Sequence, residues 1–304
     1  MPDSLVGLVD PIIEILGPLV PEADAARARD ALSHLDVLST IALGLEVVLP
    51  PHPAACDISV LMPSRRVPHF ARSGHGALSS LAMSVGSSES TWWELDTSEA
   101  RSPVGVFIRS ECTDALPTVR GAAESDHELA RAVGILESAI APHWRGPGRL
   151  IGFFPERQPS PVAAALLPDF DSAAVGLIEG LASWATIAVD PRSALVAHLM
   201  RELDGSAVAV GTDAEGRSSV SWEGSFWERE KAMVEGRWHP VLQPSPLWGD
   251  AARSLSALLE VQGIHMFDSL PAIRLLSGID HIKMGPGGKV KAYVGAHILL
   301  PGQR

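Results

Sequence analysis

Gly278-Ile279-Asp280-His281-Ile282-Lys283-Met284, Gly285-Pro286-Gly287-Gly288 and Lys289-Val290-Lys291-Ala292-Tyr293-Val294 follow one another near the end of the sequence. Two alternating runs around a Gly/Pro turn are the local signature of a β-hairpin. Successive strand side chains point to opposite faces. Ile282 and Met284 therefore share one face of the first strand, and Val290, Ala292 and Val294 one face of the second. The other faces carry His281 and Lys283, and Lys289, Lys291 and Tyr293. Such a hairpin needs an apolar layer behind it and water or an anion in front. Tyr293 is the only tyrosine of the chain, against eight tryptophans.

Working outward, paired alternating runs recur along the chain. Cys56, Ile58, Val60 and Met62 face one way and Asp57, Ser59 and Leu61 the other, before Pro63 stops the run. Residues 92–96 and 104–109 read as a second pair, with Val104, Val106 and Ile108 on the core side and Phe107, Arg109 and Glu111 opposite. Residues 150–154 pair with 162–167, and 207–211 with 218–222 around the turn Asp213-Ala214-Glu215-Gly216. Helical spacing is expected over residues 4–16, 22–45, 74–86, 126–141, 171–187, 191–203, 227–235, 249–262 and 268–276. Ser125 or Asp126 suits the N-cap of the fourth of these. Strand pairs separated by helices imply an α+β fold, a single domain over residues 1–304 built of αββ-type repeats. Helices outside a closed antiparallel barrel and helices on one face of an open sheet both satisfy this order. In a barrel the mixed faces would line a lumen suited to an apolar or aromatic ligand.

A net charge of −12 argues against nucleic acid and anionic membrane surfaces as partners. The sequence contains no apolar run of bilayer-spanning length and no basic leader before its first apolar residues. Cys56 and Cys112 have neither metal nor disulfide spacing and suit small buried positions in a reduced, cytoplasmic compartment. Arg65, Arg66, His69, Arg72 and His75 form a basic segment, read as either a mobile lid or a surface loop. Gly285-Pro286-Gly287-Gly288 lacks the Lys-Ser/Thr of a phosphate loop and is a turn.

The αββα rhythm, with Asp57-Ile58-Ser59-Val60-Leu61-Met62-Pro63 and Lys291-Ala292-Tyr293, resembles the ABBA (PT-barrel) aromatic prenyltransferases. These enzymes move an isoprenoid from its diphosphate to an aromatic acceptor. The resemblance implies a closed αββα barrel and a prenyl transfer to an aromatic or peptide acceptor in secondary metabolism. Lys291 and Tyr293, with Lys283 and Arg109, would hold the diphosphate, as charge-assisted bonds to a multiply charged anion require. Asp57 would bind magnesium if the metal is used. Glu94 or Asp57 would take the proton, since a buried carboxylate with a raised pKa suits a general base. With one tyrosine, the shield of the allyl cation would fall to Trp93, or its neighbour Trp92, and Trp222 through cation–π attraction. The alternative is a non-catalytic protein of the same architecture that binds an apolar ligand or a partner protein. Its lysines would then be a solvated face that discourages edge pairing.

Overall fold

Antiparallel pairing organises the described residues, which are 5–35, 37, 40–49, 52–63, 65–72, 74–86, 90–99, 101–110, 115–141, 149–168, 205–225, 252–266, 274–285 and 289–299 of a computed structural model. The strands are β1 (Ala42–Val48), β2 (Cys56–Pro63), β3 (Ser90–Leu95), β4 (Val104–Ser110), β5 (Arg149–Phe154), β6 (Val162–Pro168), β7 (Gly205–Asp213), β8 (Ser218–Ser225), β9 (Gly263–Met266), β10 (Arg274–Met284) and β11 (Val290–Leu299). The helices are α1 (Leu5–Ile15), α2 (Glu22–Ser33), α3 (His69–Arg72), α4 (Gly76–Ser84), α5 (Ala115–Ala123), α6 (His127–Ile140) and α7 (Ala252–Glu260).

Sequence neighbours pair in order from β1 to β8, β8 pairs with the second half of β10, and β10 pairs with β11, which returns to β1. Ten strands thus close into an antiparallel barrel, and β9 extends it by pairing with the first half of β10. Closure removes the exposed edges that an open sheet would leave. It also decides between the two architectures that the order of elements allowed.

Alternation then sorts the side chains. Val60, Trp93, Val106, Ile151 and Ala163 are fully covered on the outer face of the barrel. They join one apolar layer with Leu78, Leu81, Val119, Leu129, Val133 and Leu136 of the helices. Packing of α4 on β4, α5 on β5 and α6 on β6 and β7 builds that layer. The Asp126 side chain caps α6 by accepting from Leu129 N at 3.0 Å, which satisfies one of the free N–H groups of its first turn.

Two local expectations change. The helix expected over 22–45 stops at Ser33, because Ala42–Val48 hydrogen-bonds to β2 on one side and β11 on the other. Leu43, Leu45 and Val47 are there a strand's alternating face. The helix expected over 268–276 is contradicted at its end, where Arg274–Ser277 pairs with Met266–Gly263 and with Leu299–Ala296. Helices α3 and α5 and strand β9 were not anticipated. The helices expected over 171–187, 191–203 and 227–235 lie outside the described residues, as does Cys112.

Glycine at one position permits the close approach of β4 and β5: a Cβ on Gly152 would lie 1.9 Å from the Val106 carbonyl oxygen. No helix among the described residues is long and apolar enough to cross a membrane.

Candidate functional site

The inward faces of the strands line a cavity of about 480 Å³. Its walls divide by chemistry. Trp92 from β3, Phe107 from β4, Leu150 and Phe154 from β5 and Leu166 from β6 make an apolar side. Phe154 meets Phe107 edge to face at 5.5 Å and carries the Arg157 guanidinium 4.5 Å above its ring. Its ring lies over Gly105, where a Cβ would come within 2.5 Å of it.

The opposite side begins with the last hairpin. Lys283 and Lys291 stand directly across the β10/β11 ladder, and His281 and Tyr293 form the next pair inward. The His281 and Tyr293 rings stack at 3.6 Å. Like charges placed directly opposite one another destabilise a sheet, and carboxylates offset this here. Lys283 Nζ lies 3.0 Å from Glu223 Oε1. Lys291 donates to Glu46 and lies 3.4 Å from Asp57 Oδ2. Burial opposes the charge on both lysines, but the surrounding carboxylates prevail and hold both ammonium groups charged above the usual lysine range. Lys289 and Arg109 line the same cavity, Arg109 from β4 as an exposed residue.

Six acidic side chains (Glu46, Asp57, Glu94, Asp96, Glu223, Asp280) therefore share the lumen with five basic ones (Arg109, Arg157, Lys283, Lys289, Lys291). They are not equivalent. Burial raises the Glu46 carboxyl less than Lys291 and Lys283 lower it, so it stays ionised. Asp96 is likewise held low, its burial outweighed by its hydrogen bond with Asp57 and by the Arg157 guanidinium. Asp57 is pushed up to about 7 by burial, then by the charges of Glu46 and Asp96, with Lys291 pulling the other way. Glu94 is also pushed up to about 7, by burial first, with Lys283 opposing and Glu46 and Glu223 reinforcing. Its cross-strand neighbours are Ser59 and Gly105, so small residues leave the carboxyl open to the lumen while protein shields it from bulk water.

The structure thus brings Asp57, Glu94, Arg109, Lys283, Lys291 and Tyr293 to one chamber. It does not bring Trp93 there. Strand alternation turns that ring outward into the core, fully buried, where Nε1 donates to Thr91 Oγ1 at 3.1 Å. Trp92 is the ring on the lumen side. The side chain of Trp222 lies outside the described residues. Asp57 fits a magnesium ligand poorly, because its Oδ2 already has the Lys291 ammonium as a cationic neighbour at 3.4 Å. Among the described residues no three or more His, Cys, Asp or Glu side chains group to hold a metal ion.

Among the described residues of the basic segment, none lines this chamber. His69 stacks on His34 at 4.3 Å, and His75 accepts from Ala77 N and lies 2.8 Å from Asp126, on the helical layer. Asp213 closes the β7/β8 turn by accepting from Glu215 N and Arg217 N. Sequence reasoning missed Glu46, Glu223, Asp280 and Arg157. Glu46 had a signal, an acid inside the apolar run Ala42–Val48, once that run is read as a strand. Arg157 lies in the β5/β6 connection and had none.

No known protein family matches the chain, and no curated protein matches it. Among solved structures it is similar to the prenyltransferase PriB in ternary complex with L-tryptophan and dimethylallyl thiolodiphosphate, at 16% identity over 94% of this chain and 92% of that one, with a TM-score of 0.45. It is similar to 5-dimethylallyltryptophan synthase from Streptomyces coelicolor at 14% identity over 97% of each chain, with a TM-score of 0.47. It is similar to AnaPT from Neosartorya fischeri at 9% identity over 87% of this chain and 79% of that one, with a TM-score of 0.43.

Proposed function

We propose that the lumen is the active site of a prenyl transfer from an isoprenoid diphosphate to an aromatic or peptide acceptor, as in the biosynthesis of small molecules. One observation supports this reading: two adjacent lysines and a tyrosine, joined by Lys289 and Arg109, line the same cavity as an aromatic wall. A prenyl diphosphate has that division itself, a polyanionic head on an apolar tail.

In this reaction the bond between the prenyl C1 and its diphosphate oxygen breaks, and the diphosphate leaves with the electron pair. Lys283, Lys291 and the Tyr293 hydroxyl, with Lys289 and Arg109, stabilise the charge that develops on it. Once the bound diphosphate has drawn the lysines to itself, charges already in place do this without further reorganisation during the reaction. Trp92, Phe107 and Phe154 offer ring faces to the allyl cation, each worth about 0.5–2 kcal/mol. The acceptor's nucleophilic atom forms the new bond to C1 and gives up its proton to Glu94, or to Asp57. A carboxyl titrating near neutrality is matched to that task.

The diphosphate must draw Lys283 from Glu223 and Lys291 from Glu46 and Asp57. That competition is the specific observation behind a second reading, in which these ion pairs are structural and the lumen binds an apolar ligand without catalysis. Calorimetry separates the two. The transfer reading expects saturable binding of dimethylallyl thiolodiphosphate that weakens at least tenfold in Lys291→Ala. Binding of apolar compounds alone, with no diphosphate binding by the intact protein, would leave only the second.

A further inference from the structure

Short connections follow β1, β3, β5, β7 and β10, so they share one end of the antiparallel barrel. A clamp joins two of them at that end. Arg157, in the connection between β5 and β6, donates to Asp96, where the connection between β3 and β4 begins. Its Nε lies 3.5 Å from Glu99 Oε1. Asp96 is itself fixed by the Ser98 hydroxyl at 2.8 Å, and its N–H donates to the Pro103 carbonyl at 3.1 Å. β4 runs between β3 and β5, so the guanidinium bridges over it. Under the guanidinium lies the Phe154 ring, its centroid 4.5 Å from the central carbon. The Cδ1, Cε1 and Cζ edge of that ring fills the space a side chain at Gly105 would need. Gly105 stands directly opposite Glu94, and neighbouring strands are only about 4.8 Å apart. The ring therefore covers one flank of Glu94. Phe154 is 5% exposed, whereas the Arg157 side chain is 32% exposed, so the guanidinium faces solvent with the ring behind it.

We propose that Arg157 is a positioning residue that acts through Phe154, clamping the ring over Gly105 so that bulk water does not reach Glu94 from the hairpin end of the barrel. The inference rests, for its catalytic consequence, on Glu94 receiving the acceptor's proton. Arg157 and the ring act on Glu94 in opposite directions. As a cation Arg157 favours the ionised carboxyl, as does Lys283 of β10, while Glu46 of β1 and Glu223 of β8 disfavour it. Shielding from water also disfavours ionisation, and it is the largest influence. Loss of Arg157 therefore raises the Glu94 pKa if the residue acts by charge alone. It lowers that pKa if the residue holds the ring in place.

Carbon-13 NMR of the full chain labelled at glutamate, with Glu94→Gln to assign the resonance, reads this titration and needs no turnover. The intact protein is expected to titrate at about 7. Arg157→Gln and Phe154→Leu are each expected to make Glu94 at least tenfold more acidic. Where transfer is measurable, the acid limb of kcat moves to lower pH by the same amount. Phe154→Leu leaves the Arg157–Asp96 pair in place, so it decides the matter if loss of Arg157 prevents folding. A Glu94 that is unchanged or less acidic in either folded variant overturns the inference, as does an ordinary carboxylate value in the intact protein. Diphosphate titrated in parallel keeps the questions apart. Its failure to bind, beside a Glu94 made more acidic in the variants, removes prenyl transfer and leaves the clamp standing.

Discussion

Replacing Glu94 with glutamine should stabilise the protein above neutral pH and leave its stability nearly unchanged in mild acid. The Glu94 carboxyl is raised from 4.5 to about 7, chiefly by burial. At about 1.4 kcal/mol per pH unit, keeping it ionised in the fold costs about 3 kcal/mol at pH 8. Contact with the lumen rather than with packed protein lowers this, so about 1–3 kcal/mol is expected. The sign follows from the order of titration. In the unfolded chain the carboxyl ionises near 4.5, and in the folded chain only near 7. Folded stability therefore falls as pH rises through that interval and is level above it. Glutamine does not titrate, so its advantage is full above pH 7 and shrinks to under about 1 kcal/mol near pH 5. Urea unfolding followed by tryptophan fluorescence at pH 8 and pH 5 measures both ends. The same variant should lose prenyl transfer while still binding diphosphate. Equal stability of variant and parent at pH 8, or a gain that does not change with pH, would refute the assignment of a strained, lumen-facing acid.

Lys291→Ala removes the cation shared by Glu46 and Asp57, and breaking such a pair is expected to cost about 3–5 kcal/mol. The loss should be largest at pH 8 and partly recovered at pH 6 as the freed carboxylates protonate, which urea melts at the two pH values would show. Trp93→Ala should cost about 3–5 kcal/mol, as for a large buried aromatic, whereas Trp92→Ala should leave the melting temperature within a few degrees and weaken ligand-induced fluorescence change. Gly152→Ala forces a side chain onto the β4 backbone, and it is expected to abolish cooperative unfolding in calorimetry or to lower stability by more than about 2 kcal/mol.

The barrel was legible wherever alternation was strict and bounded by breakers. The Asp57–Pro63 and Val104–Arg109 runs sorted their side chains onto two faces residue by residue, and the final hairpin did so only from His281 onward, past the bulge at Asp280. Alternation failed where two periods coexist: Leu32, Leu35, Leu38 and Leu45 suit a helix until β11 is known to claim Ala42–Val48. It failed again at Trp92-Trp93, where two large rings lie side by side and only strand pairing says which one faces in. The closing contact, β11 on β1, joins residues some 250 positions apart and has no local signal. The candidate site was partly legible because lysine, tyrosine and histidine on one face of a hairpin are conspicuous. Their counter-ions were not. Glu46, Glu223 and Arg157 acquire meaning only when distant strands set them opposite Lys291, Lys283 and Asp96.

A crystal structure with dimethylallyl thiolodiphosphate bound would test the central claim most directly. The account predicts phosphate oxygens between Lys283 and Lys291 with the dimethylallyl group against Trp92 and Phe107. A ligand held elsewhere on the protein, with the Lys291–Glu46 and Lys283–Glu223 pairs still in place, would contradict it.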